Sequence, residues 1–178
     1  MNSVYASLGT TVFEVMSRLA AERGAVNLGQ GFPEDDGPRD ILEAAARATL
    51  EGPNQYPPMR GLPELRQAVA AHYREHQNVD LDWQREVTIT SGATEAIAAA
   101  LLAFIEPGDE VVLFEPLYDA CLPMVKRAGG VPRIVRLEPP HWRVERDALA
   151  AVFSAKTRVV MLNTPLNPSD SVMRRGAL

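Results

Sequence analysis

Val87-Thr-Ile-Thr-Ser-Gly-Ala-Thr-Glu-Ala-Ile-Ala-Ala-Ala-Leu-Leu-Ala-Phe104 changes character halfway along. Val87 to Thr90 are β-branched and predict a short strand. Glu95 to Phe104 is rich in Ala and Leu, without Gly or Pro, and predicts a helix. Ser91-Gly-Ala-Thr94 is a turn just long enough to aim the helix start back past the strand end. The first turn of a helix has unpaired N–H groups and partial positive charge, which together favour a phosphate. Gly92 and Ala93 let an anion approach the backbone, and Ser91 and Thr94 add hydroxyls. An ordinary capped helix, with Ser91 or Gly92 at the cap and Glu95 in the first turn, fits the same residues.

Working outward, the pattern from Val87 alternates. Val111–Phe114, Arg133–Leu137 and Arg158–Leu162 are apolar or β-rich runs, separated by helices expected over Asp119–Ala128 and Arg146–Phe153. Strands spaced by helices imply βαβ units and a mostly parallel sheet with flanking helices, an α/β fold. Functional groups in such sheets gather on loops at the strand C-terminal ends. Those loops hold Ser91–Thr94, Glu115–Asp119 and Asn163–Pro168, so polar groups collect along one edge.

Upstream, Thr11–Arg23 is a helix with Thr11 and Glu14 at capping-box spacing and an apolar stripe of Val12, Val15, Met16 and Leu19. Val26 to Pro33 is extended and ends in a Gly/Pro turn. Its Gly29-Gln-Gly31 lacks the third glycine and the following helix of a dinucleotide fingerprint. Helices over Ile41–Leu50 and from Pro63 to about His76 flank a loop, Asn54 to Gly61.

Composition bounds the function. The 178 residues are 46% hydrophobic and 23% charged, as in an ordinary globular protein. A net charge of −5 and no Lys/Arg run argue against nucleic-acid binding. Cys121 is alone, which excludes a disulfide framework or cysteine metal cluster. No apolar run reaches membrane-spanning length and the first residues lack a charged-then-apolar leader, so a cytoplasmic protein without membrane partners is expected.

The chain resembles the N-terminal half of a pyridoxal-phosphate-dependent aminotransferase, class I, of the aspartate aminotransferase fold. Leu28-Gly-Gln-Gly-Phe-Pro33, Ser91-Gly-Ala-Thr94, Glu115-Pro-Leu-Tyr-Asp119 and Asn163-Thr-Pro-Leu-Asn-Pro168 carry the likeness, in the family's order and spacing. It is nearest the branch acting on methionine, glutamine, kynurenine and other aromatic or sulfur-containing amino acids. The resemblance implies residues 1–38 as an N-terminal helix and arm of the small domain, and 39–178 as an incomplete cofactor-binding large domain. It implies pyridoxal 5'-phosphate as cofactor, amino acids and 2-oxo acids as substrates, and a homodimer with shared active sites.

Residue by residue, Gly92, Ala93 and Thr94 match the phosphate cup, Tyr118 the ring-stacking aromatic, and Asn167 the amide donor to the cofactor's phenolic oxygen. Tyr56 matches a tyrosine that reaches the partner subunit's cofactor phosphate, and Gly31 a backbone contact to the substrate carboxylate. The family's Schiff-base lysine, its pyridine aspartate and its two anion-binding arginines match positions beyond Leu178. Lys126 and Lys156, the chain's lysines, stand outside the strand-end loops and outside any Ser-x-x-Lys context. No catalytic residue is therefore assigned. The chain reads as a portion of a working enzyme or as a non-catalytic remnant or partner of a longer homologue. After Ser169 the family has Gly and usually a basic residue, where this chain has Asp170 and Ser171. A strand matching Val87–Thr90 is expected to lack its neighbours, which the family draws from the other half.

A rival reading comes from His72-Tyr-Arg-Glu-His76, the H-x-x-E-H pattern of inverted zinc hydrolases. It puts His72 and His76 on one helix face with Glu75 beside them. A third protein ligand would be needed, and no segment singles one out.

Overall fold

The structure is a computed structural model that describes residues 2–6, 8–29, 31 and 35–173. Its contacts divide the chain into two compact units, one formed by residues 1–7 with 90–178 and the other by 8–89. This division differs from the expected boundary at residue 38.

The first unit is an α/β sheet. Its elements are α1 (Ser3–Ala6), α6 (Gly92–Phe104), β1 (Glu110–Glu115), α7 (Cys121–Arg127), β2 (Val131–Arg136), α8 (Arg146–Val152) and β3 (Thr157–Val160). The strands lie in the order β2-β1-β3, both pairings parallel. Glu110 to Glu115 pair in unbroken register with Val131 to Arg136, and Val111 and Val112 pair with Val159 and Val160.

Side chains alternate across a strand, and β1 divides its apolar residues accordingly. Val111 and Leu113 pack with Leu101 and Ile105 of α6 and Val125 of α7. Val112 and Phe114 pack on the other face with Val135, Leu137 and Leu166, and α8 adds Leu149 and Val152. β1 is thus covered on both faces, which accounts for its continuous apolar sequence. At the start of β1 the buried Glu110 accepts hydrogen bonds from Arg133 of β2 and, at 2.7 Å, from Ser154 ahead of β3.

The second unit contains α2 (Val12–Arg23), α3 (Arg39–Glu51), α4 (Pro63–Gln77) and α5 (Trp83–Glu86). Thr11 caps α2, its hydroxyl accepting from the Glu14 N–H at 3.2 Å, as the capping-box spacing predicts. Pro63 opens α4 and Asn78 closes it in a left-handed conformation. The buried Arg66 of α4 donates to the carbonyls of Val87, Trp83 and Gln84 at 2.8–3.0 Å and lies over the Trp83 ring. Those carbonyls belong to the short α5 and the residue after it, whose helix-end acceptors need donors. α5 itself, capped by Asp82, was not among the predicted helices.

One expected strand does not form. Val87 is extended and buried, but Val87 to Thr90 belong to no ladder. A strand exists only where a neighbour accepts its hydrogen bonds. Within this unit, the backbone bond from the Ile89 N–H goes to the loop carbonyl of Arg60 at 2.9 Å instead. Val26–Leu28 likewise form no strand, while Gln30, Phe32 and Pro33 of that stretch lie outside the described residues. Among the described residues no helix is long and apolar enough to cross a membrane.

Candidate active site

The chain leaves β1 towards β2 on one side and returns to β3 on the other. Such a reversal opens a crevice at the C-terminal ends of the two strands that part there. A cavity of about 510 Å³ occupies that position, within the range of small-ligand pockets. The end of β1 supplies Leu113 and Phe114, and the following loop supplies Leu117 and Tyr118. The start of α6 supplies Ala93 and Thr94, and the chain after β3 supplies Asn163, Leu166 and Asn167.

Local structure explains each placement. Gly92, the first residue of α6, has φ +77. An added Cβ there would meet nothing within 4 Å, so the backbone conformation, not space, is what restricts the position. Ser91 holds the N-cap position, but its hydroxyl makes no cap. The Glu95 carboxylate instead accepts from the Ser91 N–H, and the Thr90 hydroxyl donates to the Gly92 carbonyl at 3.0 Å. The first-turn amides of Ala93 and Thr94 have no side-chain cap and no earlier helical turn to bond to. The capped-helix expectation is thus met in part: Ser91 stands at the cap and Glu95 in the first turn, but the serine hydroxyl does not close the helix start.

Tyr118 is half-buried, and its phenol oxygen stands 3.5 Å from the Thr94 hydroxyl. Its carbonyl accepts from the Cys121 N–H at 3.0 Å, which joins the loop to α7. Asn167 follows Leu166, whose side chain is buried in the core under α8. The Leu166 N–H donates to the Ser171 carbonyl and the Asp170 N–H to the Leu166 carbonyl, at 2.9 and 2.7 Å. This tight turn fixes the asparagine. Asp170 takes φ +54, a left-handed conformation that glycine adopts freely and Asp tolerates. The departure from the family's glycine thus falls where glycine would be the easier residue.

Ala93, Thr94, Tyr118, Asn163 and Asn167 are brought together on one cavity. Gly92 adjoins them in sequence. Tyr56 and Gly31 lie in the other unit. Tyr56 is 95% exposed at φ +48, and Gly31 is exposed. The apolar floor of Ile97, Leu117, Cys121 and Met161 escaped sequence reasoning. Only the alternation along β1 could have hinted at it, by setting the face to which Leu113 turns. Burial, and then the nearby Asp119, push the Cys121 thiol above its ordinary pKa, so it stays a neutral wall residue.

Among the described residues, no lysine or arginine lines this cavity. Lys156 is exposed at the opposite end of the sheet, where its carbonyl accepts from the Glu110 N–H at 2.8 Å. Lys126 is exposed in the last turn of α7. The zinc reading fails on its third ligand: among the described residues no group of three or more His, Cys, Asp or Glu side chains could hold a metal ion.

The cavity offers open helix amides, a phenol ring and loop carboxamides, a donor set that fits an aromatic phosphate ester. Residues 23–178 match the profile of the family described as aminotransferase class I and II. The chain belongs to that family, whose members depend on pyridoxal phosphate. It is 45% identical over 168 residues to the methionine aminotransferase of Escherichia coli K12, covering 94% of this chain and 44% of that protein. It is 49% identical over 166 residues to a probable N-succinyldiaminopimelate aminotransferase of Mycobacterium tuberculosis, covering 92% and 42%. The crystal structure of the Escherichia coli methionine aminotransferase superposes with a TM-score of 0.94 at 43% identity, over 99% of this chain and 46% of that one. Aspartate aminotransferase from Thermus thermophilus superposes at 0.88 and 27% identity, over 99% and 48%. The chain thus spans less than half the length of the relatives it matches.

Proposed function

We propose that these residues form the cofactor-holding part of an aminotransferase that moves an amino group between an amino acid and a 2-oxo acid. The meeting of open α6 amides, Tyr118 and Asn167 on one cavity at the parting of β1 and β3 carries this reading. The Ala93 and Thr94 amides, with the Thr94 hydroxyl, receive the phosphate of pyridoxal 5'-phosphate, and the positive φ of Gly92 shapes the approach. Tyr118 lies against the pyridine ring, and Asn167 donates to the phenolic oxygen. When bound, the group supplies an electron sink for the bonds of the amino acid's α-carbon. A donor at the phenolic oxygen favours its charged form, and the helix start favours the phosphate.

These residues bind and orient, but they do not move the α-proton. Among the described residues, the titratable side chains on the cavity are Tyr118 and Cys121, and neither lysine lines it. The base belongs to another part of the assembled protein, or is lacking if the chain serves as a partner of a longer homologue. The near-full exposure of Tyr56 and of Met59 supports a loop that reaches a second subunit, in a homodimer. Gly31 would meet the substrate carboxylate through its backbone. In that assembly residues 1–38 form the arm and 39–178 the large domain. Likeness to a methionine aminotransferase supports a sulfur-containing or aromatic amino acid as donor, acting in the cytoplasm.

Titration of the chain with pyridoxal phosphate, read by absorbance and Tyr fluorescence, tests this. Gly92→Val and Asn167→Ala should each weaken binding by about tenfold or more, worth about 1.4 kcal/mol. Borohydride reduction should leave no stoichiometric adduct on Lys126 or Lys156. Equal affinity in wild type and both variants, or such an adduct with turnover, would sink the proposal.

A further inference from the structure

His72 and His76 stand outside the cavity, one helical turn apart on α4, so both rings leave the same face. Their ring centroids are 4.4 Å apart with planes tilted by 53°. Both side chains are exposed, and among the described residues neither imidazole makes a hydrogen bond to protein. Their lone pairs are not committed elsewhere in the fold. Imidazole is the side chain that suits copper, nickel and zinc, and i, i+4 spacing is how a helix presents two of them to one ion.

The surroundings favour a cation. The pair lies in the last turns of α4, which Asn78 closes. A helix C-terminus carries partial negative charge. The nearest guanidinium along the helix, Arg74, is engaged by Asp80.

We propose that His72 and His76 form a surface chelate for one divalent transition-metal ion, with water completing its coordination. The site is not hydrolytic, because it sits on an open helix face without a third protein ligand among the described residues. An ion held across two turns ties them together, and binding to the folded form alone stabilises it by mass action. This matters most in the unit where α2 and α3 bury none of their residues.

Nickel(II) titration of the 178-residue chain, prepared without a histidine tag, tests the proposal by calorimetry and by thermal melting. One saturable equivalent is expected, with a raised melting midpoint. His72→Ala and His76→Ala should each weaken binding by about tenfold or more and abolish the thermal shift. His141→Ala, which changes the remaining histidine, should do neither. Saturable binding that survives both α4 substitutions, binding lost with His141→Ala, or no saturable binding at all would overturn the assignment.

Discussion

Val111 and Val112 of β1 are fully enclosed on opposite faces of the sheet, whereas Val12 of α2 is 64% exposed and Ile41 of α3 62%. The sheet unit closes two apolar clusters around β1. In the helical unit, the buried residues among those described are Ala70, Val87 and Arg66. Yet α2 and α3 carry regular apolar stripes, and α2 has a good cap. Capping and periodicity suffice to set helix limits locally. Burial needs a second surface, which a helix cannot supply for itself. An apolar stripe therefore records what a residue is made to bury against, without naming the partner.

Truncating one residue in each unit puts this contrast to its largest test. Leu113→Ala should cost about 2–5 kcal/mol by urea denaturation, because Leu113 of β1 is enclosed against α6 and α7. Leu50→Ala, at a position 83% exposed, should stay within about 0.5 kcal/mol. Similar losses at both sites would mean that the helical unit is covered in solution.

The clasp at the foot of β1 should yield a smaller, pH-dependent effect. The Arg133 guanidinium, and then the Ser154 hydroxyl, hold the Glu110 carboxyl below its usual value, with burial opposing them. A depressed carboxylate pKa contributes stability that is complete above the unfolded value near 4.3 and is lost as pH falls through the lower native value. Glu110→Gln should therefore be less stable than wild type at neutral pH. The gap should narrow from about pH 5 to about pH 3 in denaturation series. A constant gap would show that charge plays no part.

The smallest effect concerns the turn after Asn167. Asp170→Gly should raise stability by about 0.5 kcal/mol, since glycine takes φ +54 without strain. A loss would mean that the Asp170 side chain supports the turn.

Much of this was legible in the sequence. Thr11, Pro63 and Gly92 marked helix starts, and the runs at Val111, Arg133 and Arg158 marked the strands, because these signals act within a few residues. The cavity's polar rim was legible for a different reason: strand-end loops converge in any parallel sheet, so Thr94, Tyr118 and Asn167 were expected together. What escaped was non-local. Val87 to Thr90 has strand composition and no neighbour to make it one. The seating of Leu166 in the core, and the carbonyls that hold Arg66, depend on residues distant in the chain.

The buried acid at the start of β1 has one more consequence, for how the strand finds its place. In a strand that is apolar on one face and polar on the other, a slip by one residue exposes the apolar side and is rejected. β1 offers valine, leucine or phenylalanine to both faces, so hydrophobicity scarcely distinguishes one alignment from the next. Glu110 is the buried polar residue of the run, and in the observed alignment its carboxylate accepts from both Arg133 and Ser154. A buried charge that must meet its partners is one way to fix the register of a pairing. From the alignment that this charge marks, Tyr118, eight positions along, arrives at the cavity wall.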